Sequence, residues 1–250
     1  MKIIGVIPAR YNSSRFPGKP LADICGKPMI WWVYNKLKRV SELDDVFVAT
    51  DDIRIKNVCD EYKMKTVMTS TSHKTHLDRL FEVSTMVKAD FYINVNGDEP
   101  LIEEDAIKKM IPKDVDPNSL FVSNLMTELK NPLEAVDFSK IKIATDVYGY
   151  ALYMARSPIP YPKGTYNFIY KKFVGVQCFT KSALEFCYKA ERGPLEAAED
   201  IDEFRFLENG QKIKFVDASV TTLSVDTPKD LETVKSIIKK NLEQGDYIYE

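Results

Sequence analysis

The chain has 250 residues, and 35 basic against 37 acidic side chains leave a formal charge of −2. A chain this long buries roughly 70–75% of its unfolded surface, and its near-neutral balance offers no global attraction for nucleic acid or an anionic membrane. No uninterrupted apolar run approaches the roughly 20 residues of a membrane span, and with two histidines, His73 and His76, a histidine-rich metal site is excluded.

Residues 2–7 (KIIGVI) read as a buried strand rather than a signal peptide, because the apolar run is short and meets Pro8. Residues 28–40 carry apolar side chains at helical spacing, with Pro28 suited to a first turn and Trp31, Trp32 and Tyr34 on the core or dimer face. A strand over 45–50, a helix over 52–63, a short strand over 65–68, a helix over 77–88 and a strand over 90–95 follow. Strands alternating with helices predict βαβ units and a mainly parallel sheet. The second half reads differently: strands over 119–127 and 140–155, a proline-rich loop over 157–168, a strand over 170–179 and a helix over 180–190. An acidic amphipathic helix over 195–208, strands over 212–217 and 220–225, and a terminal helix over 228–244 complete the pattern. The expectation is one three-layer α/β domain spanning 1–250, with a β-rich insertion near 120–190. The widely spaced Cys25, Cys59, Cys178 and Cys187 include no C-x-x-C pair, which favours reduced thiols and a cytoplasmic protein.

In an open parallel sheet, ligands bind beyond the carboxyl ends of the strands. The loop after the first strand, 8–21, holds Arg10, Arg15, Lys19, Ser13 and Ser14. Forked and point-charge cations beside hydroxyls suit a polyphosphate, and a solvated basic loop is the alternative. The loop matches neither G-x-G-x-x-G nor G-x-x-x-x-G-K-[ST]. Asp98, in the run Asn96-Gly97-Asp98-Glu99-Pro100 closing the fourth strand, is a candidate Mg²⁺ ligand or part of a capped turn. Asp226, in Val225-Asp226-Thr227-Pro228, is either a helix cap or a second carboxylate on the same metal. Paired carboxylates beside a cationic loop fit metal-assisted phosphoryl or nucleotidyl transfer.

These motifs, together with VATDD at 48–52, GYALYMARSPIPYP at 149–162 and PLEAAEDIDEFRFLENG at 194–210, occur along nearly the whole chain. The chain resembles the CMP-sugar-acid synthetases, specifically the 3-deoxy-manno-octulosonate (KDO) cytidylyltransferase family. The resemblance implies a Rossmann-like nucleotidyltransferase fold and Mg²⁺-dependent transfer of CMP from CTP to a small acidic acceptor, with pyrophosphate released. It implies catalytic roles for Arg10, Lys19, Asp98 and Asp226, with Asp98 and Asp226 on the metal. Nucleotide binding would fall to Arg10, Ser13, Ser14, Arg15, Lys19, His76, Asp78, Arg79 and Asp98. Acceptor binding would fall to Asn96, Lys142, Arg156, Phe173, Gln177, Glu196 and Glu199, although Glu196 and Glu199 also suit the solvated face of an acidic helix. A homodimer formed through the inserted segment is implied, with no nucleic-acid or membrane partner.

The chain departs from that pattern at four places. The family's Ser-Gly-Thr-Asp-Arg run is Thr75-His76-Leu77-Asp78-Arg79 here. A glutamine before Gly-Asp-Glu-Pro is Asn96, an imidazole is Phe173 and a phenol is Gln177. Loss of polar partners weakens binding of an unchanged ligand. KDO is the first choice of acceptor. The alternatives are another ulosonic acid, a phosphonate or a carboxylate, and, in another class, an inactive nucleotide-binding protein. Joint retention of Arg10, Arg15, Lys19, Asp98 and Asp226 argues against the last.

Overall fold

The structure is a computed structural model and describes residues 1–12, 16–165, 167–218 and 222–245. The elements in order are β1 (Ile3–Ala9), β2 (Asp23–Ile24), β3 (Lys27–Pro28), α1 (Met29–Lys38), β4 (Asp45–Thr50), α2 (Ile53–Glu61), β5 (Thr66–Met68), α3 (His76–Met86) and β6 (Phe91–Val95). There follow α4 (Glu104–Lys109), β7 (Val122–Glu128), β8 (Lys142–Thr145), β9 (Ala151–Ala155), β10 (Lys171–Thr180), α5 (Lys181–Lys189), α6 (Pro194–Glu199), α7 (Phe204–Glu208), β11 (Lys214–Asp217) and α8 (Pro228–Gln244).

The main sheet runs β11-β7-β10-β6-β1-β4-β5. Its β6, β1, β4 and β5 are parallel, β11 is parallel to β7, and β10 runs against both its neighbours. The expected mainly parallel α/β sheet is therefore present. Both faces are covered, so β1 reads as a continuous apolar run instead of an alternating one. Ile3 and Ile7 pack into one core layer with α1, α2, α4 and α8, while Ile4 and Val6 pack into the other with α3, α5 and α7. Trp31, Trp32 and Tyr34 are all buried in the first layer.

Helix starts follow local side-chain chemistry. Thr75 and Asp78 form a capping box on α3, and Thr227 and Asp230 form one on α8. Asp226 is thus not the cap of α8, because Thr227 takes that role.

Several elements differ from expectation. The strand expected over 140–155 is a hairpin, because Asp146 accepts from the N–H groups of Tyr148 and Tyr150 and Gly149 adopts φ +78°. The helix expected over 195–208 breaks at Asp200, whose left-handed backbone (φ 52°) separates α6 from α7. Residues 222–225 form no strand; 220 and 221 lie outside the described residues. The short α4 was not expected. The segment expected as an insertion over 120–190 is narrower: β7 and β10 are central strands, and only residues 129–170 branch off through the β8–β9 hairpin. Cys59, Cys178 and Cys187 are buried free thiols, and Cys25 is an exposed one.

Candidate active site

The carboxyl ends of β1 and β6, the first turn of α3, the link between α6 and α7, and Asp226 surround a cavity of about 410 Å³. Arg10 follows β1 directly and lines it. The loop that begins there closes where Gly18 N–H donates to Tyr11 O at 2.8 Å. Tyr11 carries the Arg54 guanidinium 3.3 Å above its ring, and that guanidinium donates to both carboxylate oxygens of Asp52, at 2.9 and 2.6 Å. The VATDD motif thereby braces the loop. Ser13, Ser14 and Arg15, expected at the nucleotide, lie outside the described residues.

Lys19 gathers the two candidate metal carboxylates. Its Nζ lies 2.6 Å from Asp98 Oδ2 and 3.7 Å from Asp226 Oδ1, and donates to Val225 O at 2.8 Å. Glu99 explains how a segment more than 120 residues away reaches this point. Fully within the fold, it accepts from Thr222 Oγ1 and Ser224 Oγ and so ties residues 222–226 to the end of β6. Burial first, and Asp98 next, push the Glu99 carboxyl above its ordinary value. Among the described residues no third His, Cys, Asp or Glu joins Asp98 and Asp226 as a metal cluster. Two carboxylates alone suit Mg²⁺, which keeps coordination positions for water and phosphate oxygen.

The other end of the cavity is polar and largely acidic. His76 Nδ1 lies 3.1 Å from Asp202 Oδ2, and its Nε2 lies 3.1 Å from Gln177 Oε1 and 3.6 Å from Glu203 Oε1. Burial opposes charge on this ring, but the Asp202 hydrogen bond and the field of Glu203 outweigh it and push the imidazole up to about 9. A raised folded-state value means the folded protein holds this proton more tightly than the unfolded chain. The stabilisation is complete below the ordinary value of 6.5 and is lost as pH rises through about 9. Urea midpoints measured across that window are expected to fall in the wild type, and to fall much less in His76→Asn.

Asn96 and Phe173 also line the cavity. Asn96 N–H donates to Gly175 O at 2.8 Å, and a Cβ at residue 175 would sit 2.6 Å from Asn96 Nδ2 and 2.9 Å from its Cβ. Gly175→Ala is therefore expected to cost about 1–3 kcal/mol, seen as a lower Tm, and to raise the acceptor KM by displacing Asn96.

Of the remaining expected residues, Arg79 reaches the cavity and the others sit behind its wall. The Arg79 guanidinium is held by Asp51 at 3.0 Å and by Thr69. Asp78 caps α3. Lys142 is fully buried and donates to Asp137 O at 2.8 Å. Arg156 donates to the backbone oxygens of Glu199, Asp200 and Phe138 at 2.5, 2.8 and 3.1 Å, and Glu199 accepts from the Arg156 N–H at 2.9 Å. Glu196 is buried against Arg205, with both oxygens engaged at 2.5 and 2.9 Å. None of Asp78, Lys142, Arg156, Glu196 and Glu199 lines the cavity; Arg156, Glu199 and Glu196 brace the turn that presents Asp200, Asp202 and Glu203. Those three, with Glu99 and Arg205, were missed in the sequence, where they read only as charges on an acidic helix and a turn.

The profile of the cytidylyltransferase family matches residues 4–213. The chain belongs to the cytidylyltransferase family. Within it, the chain is 39% identical to the 3-deoxy-manno-octulosonate cytidylyltransferase of Geotalea uraniireducens, over 96% of this chain and all of that one. It is 37% identical to the Escherichia coli protein of the same name, over 98% of this chain and 99% of the relative. A solved CMP:2-keto-3-deoxy-manno-octonic acid synthetase complexed with CTP superposes with a TM-score of 0.90 at 37% identity, covering 96% of this chain and all of that one. The Rossmann-like nucleotidyltransferase fold of this cytidylyltransferase is thus shared end to end.

Proposed function

We propose that this cytidylyltransferase transfers CMP from CTP to KDO and releases pyrophosphate, with Mg²⁺ as its cofactor. The observation that carries the reading is the convergence of Lys19, Asp98 and Asp226 at the strand ends, in a chain alike from end to end to a synthetase solved with CTP. In this reading an acceptor hydroxyl oxygen forms a bond to the α-phosphorus and gives up its proton to solvent, the bond to pyrophosphate breaks, and no covalent enzyme intermediate is needed. Arg10 and Lys19 hold the triphosphate and offset the charge that develops on the leaving group. Asp98 and Asp226 would hold Mg²⁺, which supplies further charge neutralisation on the phosphates. The cavity wall orients the sugar acid toward the nucleotide, and positioning supplies much of the acceleration. His76 is no general base here, because both of its ring nitrogens are engaged.

The protein acts as a homodimer in the cytoplasm. Leu133, Val136, Phe138 and Leu152, on the segment that branches from the sheet, are 76, 71, 74 and 65% exposed, an apolar surface suited to a second copy of the chain. No helix among the described residues is long and apolar enough to cross a membrane.

The test is pyrophosphate release with CTP, Mg²⁺ and a panel of acids. Turnover of KDO on the order of 1–1,000 s⁻¹ is the expected result. Turnover of another sugar acid in preference to KDO would reassign the acceptor, and no release with any acid would overturn the reading.

A further inference from the structure

His76 and Gln177 were assigned from the sequence to different substrates, the nucleotide and the acceptor, yet the fold brings them within 3.1 Å of each other. Hydrogen-bond direction fixes the state of the ring between them. Gln177 donates its Nε2–H to Glu203 Oε1, so its Oε1 is the atom that meets His76 Nε2, as well as Asn94 Nδ2 at 2.9 Å. Reversing the amide would aim its oxygen at a carboxylate and its N–H groups at those of Asn94. An amide oxygen only accepts, so His76 Nε2 donates. Nδ1 faces the Asp202 carboxylate, so it donates too. The ring therefore carries both protons. A cation at the first residue of a helix is opposed by the helix dipole. The neighbouring acids are what hold the charge there.

The ring's attachments also say which substrate it serves. Asp202 and Glu203 belong to the α6–α7 link and Gln177 to β10, the strand that also carries Phe173. Among the described residues none of its hydrogen bonds reaches the loop over 8–21. Asp202, Glu203, Asn96 and Phe173 share the cavity with His76. The chain thus presents an imidazole from α3, where the family pattern has glycine, and has Phe173 where the family pattern has an imidazole. Each acid spends an oxygen on this cluster, Asp202 Oδ2 on the ring and Glu203 Oε1 on Gln177, and each keeps a second oxygen that can accept hydrogen bonds.

We propose that His76 is a positioning residue that sets acceptor specificity: its imidazolium holds Asp202 and Glu203 as hydrogen-bond acceptors for the hydroxyls of a polyhydroxy acid, and it does not bind the nucleotide. This rests on the cytidylyltransferase reading.

The test separates the two substrates. For His76→Asn the expected result is an acceptor KM raised about tenfold or more with the CTP KM within about twofold. Asp202→Asn should give the same split, and should bring the imidazole titration down from about 9, read by ¹⁵N NMR of the two histidine rings with His73→Asn to assign them. A raised CTP KM with an unchanged acceptor KM would overturn the proposal. So would a wild-type ring that loses a proton near the ordinary imidazole value of 6.5. Calorimetry of CTP binding to wild type and His76→Asn needs no turnover, and weakened binding in the variant also overturns it. A wild type that turns over no acid defeats the cytidylyltransferase reading instead, a different outcome from an active wild type whose variant shows no split.

Discussion

Asp98→Asn is expected to lower kcat by roughly 10³-fold, or about 4 kcal/mol of lost transition-state stabilisation, while leaving the fold intact. Asp98 is one of the two carboxylates that share Lys19, and it is 24% exposed at the side chain. Asparagine keeps the shape and an oxygen to accept from Lys19, but it removes the charge. In the folded apoprotein that loss is small, because Lys19 retains the Val225 carbonyl and Asp226. In the proposed reading the same loss would fall on the Mg²⁺ that Asp98 and Asp226 would hold, and so on charge neutralisation of the phosphates. Steady-state pyrophosphate release and thermal melting on the same preparation make the comparison. A variant with near wild-type kcat would overturn the proposed metal role of Asp98, and a collapsed Tm would make its role structural.

Arg205→Ala is expected to cost about 3–5 kcal/mol, a fall in Tm of roughly 10 °C for a chain of this size. Arg205 clamps Glu196 with two hydrogen bonds at 2.9 and 2.5 Å, donates to Cys187 O at 3.2 Å and lies 3.6 Å from Asp78. Glu196 is 0% exposed, so removing Arg205 leaves a buried carboxylate without its two charge-assisted hydrogen bonds, with Arg192 Nε farther off at 3.7 Å. Asp78 loses part of its setting as well, which loosens the start of α3 beside His76. Because α7 begins just after Glu203, the acceptor KM should rise along with the loss of stability. Replacing both partners, as in Arg205→Met with Glu196→Met, should recover much of the Tm, since it removes both charges together. Differential scanning calorimetry of the three variants checks this, and a Tm change of less than about 2 °C for Arg205→Ala would mean the pair is not desolvated.

Where local pattern carries the information, the sequence and the structure agree. The alternation of apolar runs and amphipathic stretches over 1–95 predicts each of the parallel strands β1, β4, β5 and β6 and the helices between them, because apolar runs and helical spacing are local signals. The second half was less legible. The 140–155 run has strand composition throughout, and only the Asp146 side-chain bonds and the left-handed Gly149 turn it into a hairpin. The acidic stretch 195–208 has helical spacing across Asp200, and nothing in the spacing marks the left-handed residue that breaks it.

The site divides along the same line. Arg10, Lys19, Asp98 and Asp226 stood out in the sequence because strand-end loops rich in cations and carboxylates are where an α/β sheet binds phosphates, and they meet at the cavity as expected. The acceptor set was read from position in a motif, which does not report direction. Lys142, Arg156 and Glu199 are tied to backbone groups and Glu196 to a buried partner, while Asp202 and Glu203 face the cavity. By itself the sequence determined the fold class and the family, both of which rest on local periodicity and motifs of near neighbours in the chain. Only the tertiary structure decided which acids face the cavity and that His76 joins Gln177. Those facts depend on contacts 83 to 126 residues apart, whose geometry is set by the packing of β10 and the α6–α7 turn against α3 and β6.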